Sequence, residues 1–430
     1  MRPDMPPLRA KHGMMPQSSS TPQAPVAAIA SAVLAFERWL EQGGYASYDP
    51  YDLWGTRYGV WSRALYYRRS ALGLPFVGPL VITDVVWPQV RTVLVPKNRY
   101  ASADAQLALG FLNRHATTGE REHLAKAEAI VEHLLSTSIP GYHGLCWGYQ
   151  FDWQNCDGLW PRNTPFITTT PYVFEALQRM FAVTQNPRYR QAMESVARFV
   201  AEDLRDTVTS SGGSAVSYSP LDTSKVINAS TYRALVLVEA AQLAPNPAYL
   251  AKAWRNLNFV LESQRPDGSW LYSIDNPAEA FIDHFHTCFV LGNLAKIDRR
   301  LGDQRLQGAI ARGYRYYREH LFHRDGLPKS FARQSRMQLV RLRLYDVAEA
   351  IMLGTVLKDC IPGAFDFAGQ LALRVAQEYQ LPDGHFVTRV YKGGMRHRMP
   401  FLRWPQAPMY CALTNLLVAL RGAAIPAPQE

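Results

Sequence analysis

The residues best placed for chemistry are Asp283, His284 and His286, which sit together in FIDHFHTCF at the start of an apolar helical run. A histidine beside a carboxylate serves as an acid or base near neutral pH, or contacts a substrate carboxylate. With 3.6 residues per turn, His284 and His286 diverge by about 200° on a helix. Regular geometry therefore cannot aim both at one metal ion, and neither a metal nor another cofactor is expected. One of the two is expected to point into a site beside Asp283; the competing reading is a histidine that bonds a backbone carbonyl at a helix start. A second group is Tyr218, Asp222, Lys225 and Asn228. Lys225 just before a helix, with Asn228 one turn in, suits an acidic sugar, whereas Asp222 equally suits a turn. Asp152 and Arg162 flank the longest loop in the same way, and Asp267 and Asp383 read as turn formers.

Three reactions fit these residue types. Epimerisation at carbon 5 of a uronosyl residue needs a base on one face, an acid on the other and cations beside the carboxylate, roles open to Tyr, His, Lys and Arg. A lyase shares the proton abstraction and then eliminates the 4-linked sugar. A hydrolase needs two carboxylates, for which Asp222 with Asp283 or Asp152 is the best pair. A glycan-binding or scaffolding protein that turns nothing over is the fourth reading.

The elements that must position these residues are helices. Apolar periodicity marks helices over 26–42, 101–114, 122–135, 168–183, 187–204, 227–243, 247–261, 281–301, 304–321, 344–357, 365–379 and 407–420, the 281–301 helix beginning near Ala278. The pairs Asp267-Gly268, Asp325-Gly326 and Asp383-Gly384 recur at 58-residue intervals, so one helical hairpin plus its loop is the repeating unit. The hairpins pair as 101/122, 168/187, 227/247, 281/304 and 344/365, and the 407 helix is expected to pair with 26–42 and close a ring. If helices alternate up and down, the loops 141–165, 210–225, 265–277, 325–341 and 382–405 converge at one end. The expected class is all-α, an (α/α)6-type toroid over 26–425, with one functional mouth.

The first 25 residues lack apolar periodicity and read as a disordered tail. No signal peptide is evident, and Pro75, Pro79, Asp84 and Pro88 interrupt the apolar stretch 72–95, so no transmembrane segment is expected. Five scattered cysteines without a CxxC pair suit free thiols in the cytoplasm. The net charge is +10. It concentrates in two equivalent segments, Arg333, Arg336, Arg341 and Arg343, and Arg389, Lys392, Arg396, His397, Arg398 and Arg403, which suits an acidic glycan; no nucleic-acid motif accompanies them.

Aromatics crowd the same loops. Trp147, Tyr149, Trp153, Trp270, Tyr272, Tyr345 and Trp404 are candidate sugar contacts beside Arg341, Arg343, Arg398 and Arg403, with about half of the loop aromatics expected to fill the core instead. The segments CWGYQFDWQ (146–154), RNTPFITTTPYVFEAL (162–177), SYSPLDTSKVINAS (217–230) and DGSWLYS with FIDHFHTCFVLGNL (267–294) together resemble helical-toroid proteins of bacterial exopolysaccharide biosynthesis. More distantly, the layout resembles glucuronyl 5-epimerase catalytic domains and six-hairpin glycosidases. The resemblance implies a toroid that works on carbohydrate. Its expected partners are an acidic oligo- or polysaccharide and other polysaccharide-biosynthesis proteins.

Overall fold

The computed structural model describes residues 23–156, 158–333 and 338–422. Six helices form a closed inner ring: α5 (Ala101–Thr118), α7 (Thr170–Thr184), α9 (Ile227–Leu243), α11 (His284–Leu301), α13 (Leu344–Val356) and α15 (Ala407–Arg421), with α15 packed back on α5. Each has an outer partner: α6 (Arg121–Ser136), α8 (Pro187–Glu202), α10 (Pro247–Glu262), α12 (Gln304–His320) and α14 (Ala364–Glu378), and for α15 the N-terminal α1 (Gln23–Gly43). The all-α toroid expected from the repeat is present, closed by the helix at the chain's start. That helix takes in Gln23–Pro25, which the sequence reading assigned to the tail.

Burial follows from position. An inner helix has neighbours on every side, and α9 buries residues around its whole circumference from Ile227 to Ala241. Outer α12 buries Leu306, Ala309, Ile310, Gly313, Tyr316 and Tyr317, three or four apart, which is a single stripe. The outer helices α8, α10 and α12 begin with a side-chain cap from Asn186, Asn246 and Asp303. None of the six inner helices has one.

The loops of the repeat are built alike. Gly268, Gly326 and Gly384 all have φ between +80° and +107°, the left-handed region open to glycine, and each donates its N–H to the carbonyl three residues earlier: Arg265, His323 and Leu381. Each loop then ties to the start of the preceding inner helix, as Ile227 N–H to Tyr272 O, His284 N–H to Ser330 O and Leu344 N–H to Thr388 O. Short antiparallel patches complete the loops: 153–154 with 159–160, 206–208 with 214–216, 282–283 with 331–333, and 340–343 with 389–391 and 396–397.

Two stretches differ from the sequence reading. Helix α11 starts at His284 rather than near Ala278, because Ile282–Asp283 is drawn into a strand pair with Phe331–Arg333. The segment between α1 and α5 holds a helical hairpin, α2 (Arg57–Arg68) and α3 (Ser70–Val86), followed by the short α4 (Arg91–Leu94). Among the described residues no single helix is long and apolar enough to cross a membrane.

Glycines in two helices predict opposite responses. A methyl group at Gly110 in α5 would sit 2.3 Å from the buried Tyr410 ring, which is held by its hydroxyl bond to Glu37. Gly110→Ala is expected to cost about 1–3 kcal/mol in denaturant unfolding. Gly369→Ala in α14, where nothing lies within 4 Å, is expected to stabilise by about 0.5–1 kcal/mol.

Candidate active site

The inner helices all present their N-termini to the end where the long loops emerge. Uncapped first turns leave backbone N–H groups and the positive end of the helix dipole facing that end. There a cavity of about 300 Å³ opens, lined from all five loops and from the 44–100 segment, which is the sixth loop of the ring. Its walls are aromatic. Tyr218, Trp153 and Tyr149 pack with Trp160 and Phe166 on one side; Tyr272, Phe281 and Phe285 surround His286 on another.

The chemical centre is Asp283 with His286. Asp283 ends the strand pair, buried, and His286 Nδ1 lies 2.8 Å from its Oδ2. A carboxylate only accepts, so Nδ1 carries the proton and Nε2 is the basic nitrogen. Among the described residues Nε2 makes no hydrogen bond, and His286 faces the cavity. Burial holds the phenols of Tyr218 and Tyr272 above the ordinary tyrosine range, so both remain proton donors at neutral pH.

Three cations reach the cavity. Arg403 is buried and bound by both oxygens of Asp49, at 2.5 and 2.8 Å, with its guanidinium 4.6 Å above the Tyr149 ring. Arg343 lies over Phe331, and Arg63 donates to the Tyr67 hydroxyl; neither pairs with a carboxylate among the described residues. Burial raises the carboxyl of Asp346 to about 7, against the pull of the Arg343 charge. Asn228 is 2% exposed, lines the cavity, and leaves both Oδ1 and Nδ2 without a partner among the described residues. A buried amide in that state is suited to hydroxyl groups of a ligand.

A larger cavity of about 540 Å³ opens at the opposite end of the ring axis. In it Lys296 pairs with Glu175 at 2.8 Å, and Arg179 is bound to the neutral Asn113. It lacks the converging loops, so the site is placed at the aromatic end.

Of the residues singled out in the sequence, Asp283, His286, Tyr218, Tyr149, Trp153, Asn228, Tyr272, Arg343, Tyr345, Arg403 and Trp404 line this one cavity. The others do not. His284 turns away into the core, where Nδ1 donates to Leu321 O and Nε2 accepts from the Tyr317 hydroxyl. Trp147 and Trp270 are core, their indole N–H groups bonded to Leu134 O and Val260 O. Asp222 is a turn former that accepts from Tyr218 N, Ser219 N and Ser224 N. Asp152 accepts from the backbone of exposed Arg162, the Lys225 N–H is turned to Asp275, Arg341 pairs with Asp325 outside the cavity, and Arg398 is exposed away from it. Arg336 lies outside the described residues. Sequence reasoning missed Tyr51, Arg63, Tyr67, Gln106, Glu279 and Phe331; the run of basic and aromatic residues at 57–69 was the available signal.

Burial pushes His284 down to about 3. Its neutral form supports the fold above the ordinary histidine value of about 6.5, and that support is lost at about 1.4 kcal/mol per pH unit as pH falls from there toward 3. His284→Phe is expected to flatten this part of the pH profile of urea unfolding.

No protein-family model and no curated protein matches the chain. Solved structures do. The unsaturated glucuronyl hydrolase of Bacillus sp. GL1 superposes with a TM-score of 0.58 at 12% identity, over 92% of this chain and 97% of that one. A sugar epimerase from a ruminal bacterium gives 0.56 at 13%, over 76% and 88%, and a polysaccharide lyase 0.51 at 13%, over 79% and 96%. At such identity the likeness shows the fold: the chain is an α/α toroid.

Proposed function

We propose that the protein is a carbohydrate-active enzyme whose His286 abstracts the carbon-5 proton of a uronosyl residue, leading to epimerisation or elimination. The observation that carries this reading is the buried Asp283 holding His286 with its basic nitrogen toward an aromatic, cation-bearing cavity. Abstraction places negative charge on the substrate carboxylate, and Arg343, Arg63 and the inner-helix N-termini stabilise charge at that place. Tyr218, on the other wall, is the donor that returns a proton to the opposite face in an epimerase. In a lyase the same carbanion expels the 4-linked sugar, and a donor protonates the leaving oxygen.

The structural neighbours, a sugar epimerase, a polysaccharide lyase and a glucuronyl hydrolase, support carbohydrate chemistry. The segments that resemble exopolysaccharide-biosynthesis proteins support a place in that process, and the free cysteines support a cytoplasmic setting. A hydrolase is the second reading, favoured by Glu279 lining the cavity with Asp283. Asp222 and Asp152 do not line it, Asp222 accepting within its own turn and Asp152 from the Arg162 N–H across the loop.

Proton NMR of acidic polysaccharides incubated with the protein in deuterium oxide separates these readings. Deuterium at carbon 5 in an intact chain is the epimerase result and new unsaturated ends the lyase result; new reducing ends alone indicate the hydrolase, and binding without change a glycan-binding role. His286→Phe and Asp283→Asn are expected to lower kcat by about 10²–10⁴ with little change in KM. Full turnover by His286→Phe would sink the mechanism. Arg343→Met is expected to raise KM by about tenfold or more, the worth of a charge-assisted hydrogen bond.

A further inference from the structure

Eleven of the nineteen exposed large hydrophobic residues among the described residues fall between Tyr58 and Leu94. This is the hairpin of α2 and α3 with the short α4 beyond it, inserted in the sixth loop of the ring. Its long arm, α3, is apolar around almost its whole circumference, yet it packs mainly on α2 and the turn at 88–90 and meets the ring at its end, through Asp84. The side it buries is narrow: Gly73, Val77 and Asp84. Gly73 is required there, since a Cβ would fall 2.2 Å from the Tyr66 backbone. At about 100° per residue, Leu72, Leu74, Phe76, Val81, Ile82 and Val86 spread over an arc of about 220°, each 39% exposed or more.

We infer that this hairpin seats the protein on an anionic phospholipid bilayer, with α3 lying in the interface. A convex apolar arc of that width is not covered by one flat protein face, whereas the headgroup and acyl boundary of a bilayer surrounds an interfacial helix. The charge around it fits that partner. Arg57, Arg68, Arg69 and Lys97 are exposed, and the only acidic residue from Leu53 to Tyr100, Asp84, is buried against Arg91 and Arg389 at 2.8 and 2.9 Å. Trp61 and Trp87, 49% and 61% exposed, are of the type that settles at headgroup depth. By itself α3 is short for a span, its 17 residues covering about 25 Å against a core of about 30 Å, and the chain turns by 104° into the following short helix. The Asp84 ion pairs fix the base of the hairpin to the ring, so the whole toroid is oriented by what α3 touches. Because Arg63 and Tyr67 of α2 line the 300 Å³ cavity, the seated face lies beside its mouth. The inference does not depend on the chemistry assigned to His286.

The test is flotation of the full chain with vesicles of phosphatidylcholine alone or mixed with phosphatidylglycerol. The expected result is partitioning to the mixed vesicles that weakens with added salt, is about fivefold weaker for each of Arg68→Gln and Arg69→Gln, and is lost in Leu74→Asp/Ile82→Asp/Val86→Asp. These positions are exposed, and unchanged thermal unfolding of the purified variants checks the fold. Wild-type protein that stays with neither vesicle overturns the inference, as does undiminished binding by the triple Asp variant. A wild-type dimer in sedimentation that binds no vesicle and is dissolved by the triple variant assigns the face to a second copy instead.

Discussion

The candidate site rests on a single buried ion pair. Arg403 and Asp49, 354 residues apart, meet through two hydrogen bonds with hardly any exposure. They join the last loop of the ring to the segment that follows the first helix. The guanidinium also lies over the rings of Tyr149, Trp404 and Tyr51, so the aromatic walls are set by its position. Leaving one such charge unpaired in the interior costs about 3–5 kcal/mol, a large share of a typical folding free energy of about 5–15 kcal/mol. The pair as a unit is neutral. It therefore shapes the cavity without determining its sign, and the positive character comes from Arg343, Arg63 and the helix starts.

Much of the ring is legible in the sequence. The 3.6-residue periodicity and the 58-residue spacing are local or repetitive signals, and Ile227–Leu243 has the bounds read from the sequence. What escaped depends on distant partners. Nothing near Phe281 shows that Ile282–Asp283 will pair with residues 331–333, yet that pairing places Asp283 as the last extended residue before the helix, where it can reach back to His286. Trp147 and Trp153 are six residues apart in one loop, and only the carbonyl of Leu134 makes the first a core residue. Prolines 75 and 79 argue against a helix, but both sit on the exposed side of α3, where the lost bonds and ring bulk meet no neighbouring element.

The capping pattern has a related logic. Asn or Asp at the start of an outer helix satisfies its own N–H groups at the end with short connections. Three inner helices hand only their first N–H, at Ile227, His284 and Leu344, to a carbonyl of the next loop. Each of these loops is thus held by a neighbour's helix rather than by its own, and variation inside a loop can alter the cavity wall while the stitch at its edge persists.

Ring closure by α1 bears on how the chain reaches its native state. The outer partner of the last inner helix is the first of the ring's helices to be made, and Glu37 accepts from both Arg114 and Tyr410 at the seam. During synthesis the apolar face of α1, with Val33, Phe36 and Leu40, has no partner until α15 has left the ribosome. The contacts that complete the ring are among the longest in sequence, and such contacts form late because loop-closure entropy opposes them. An apolar face left uncovered until its distant partner is made is the kind of surface that holding chaperones bind.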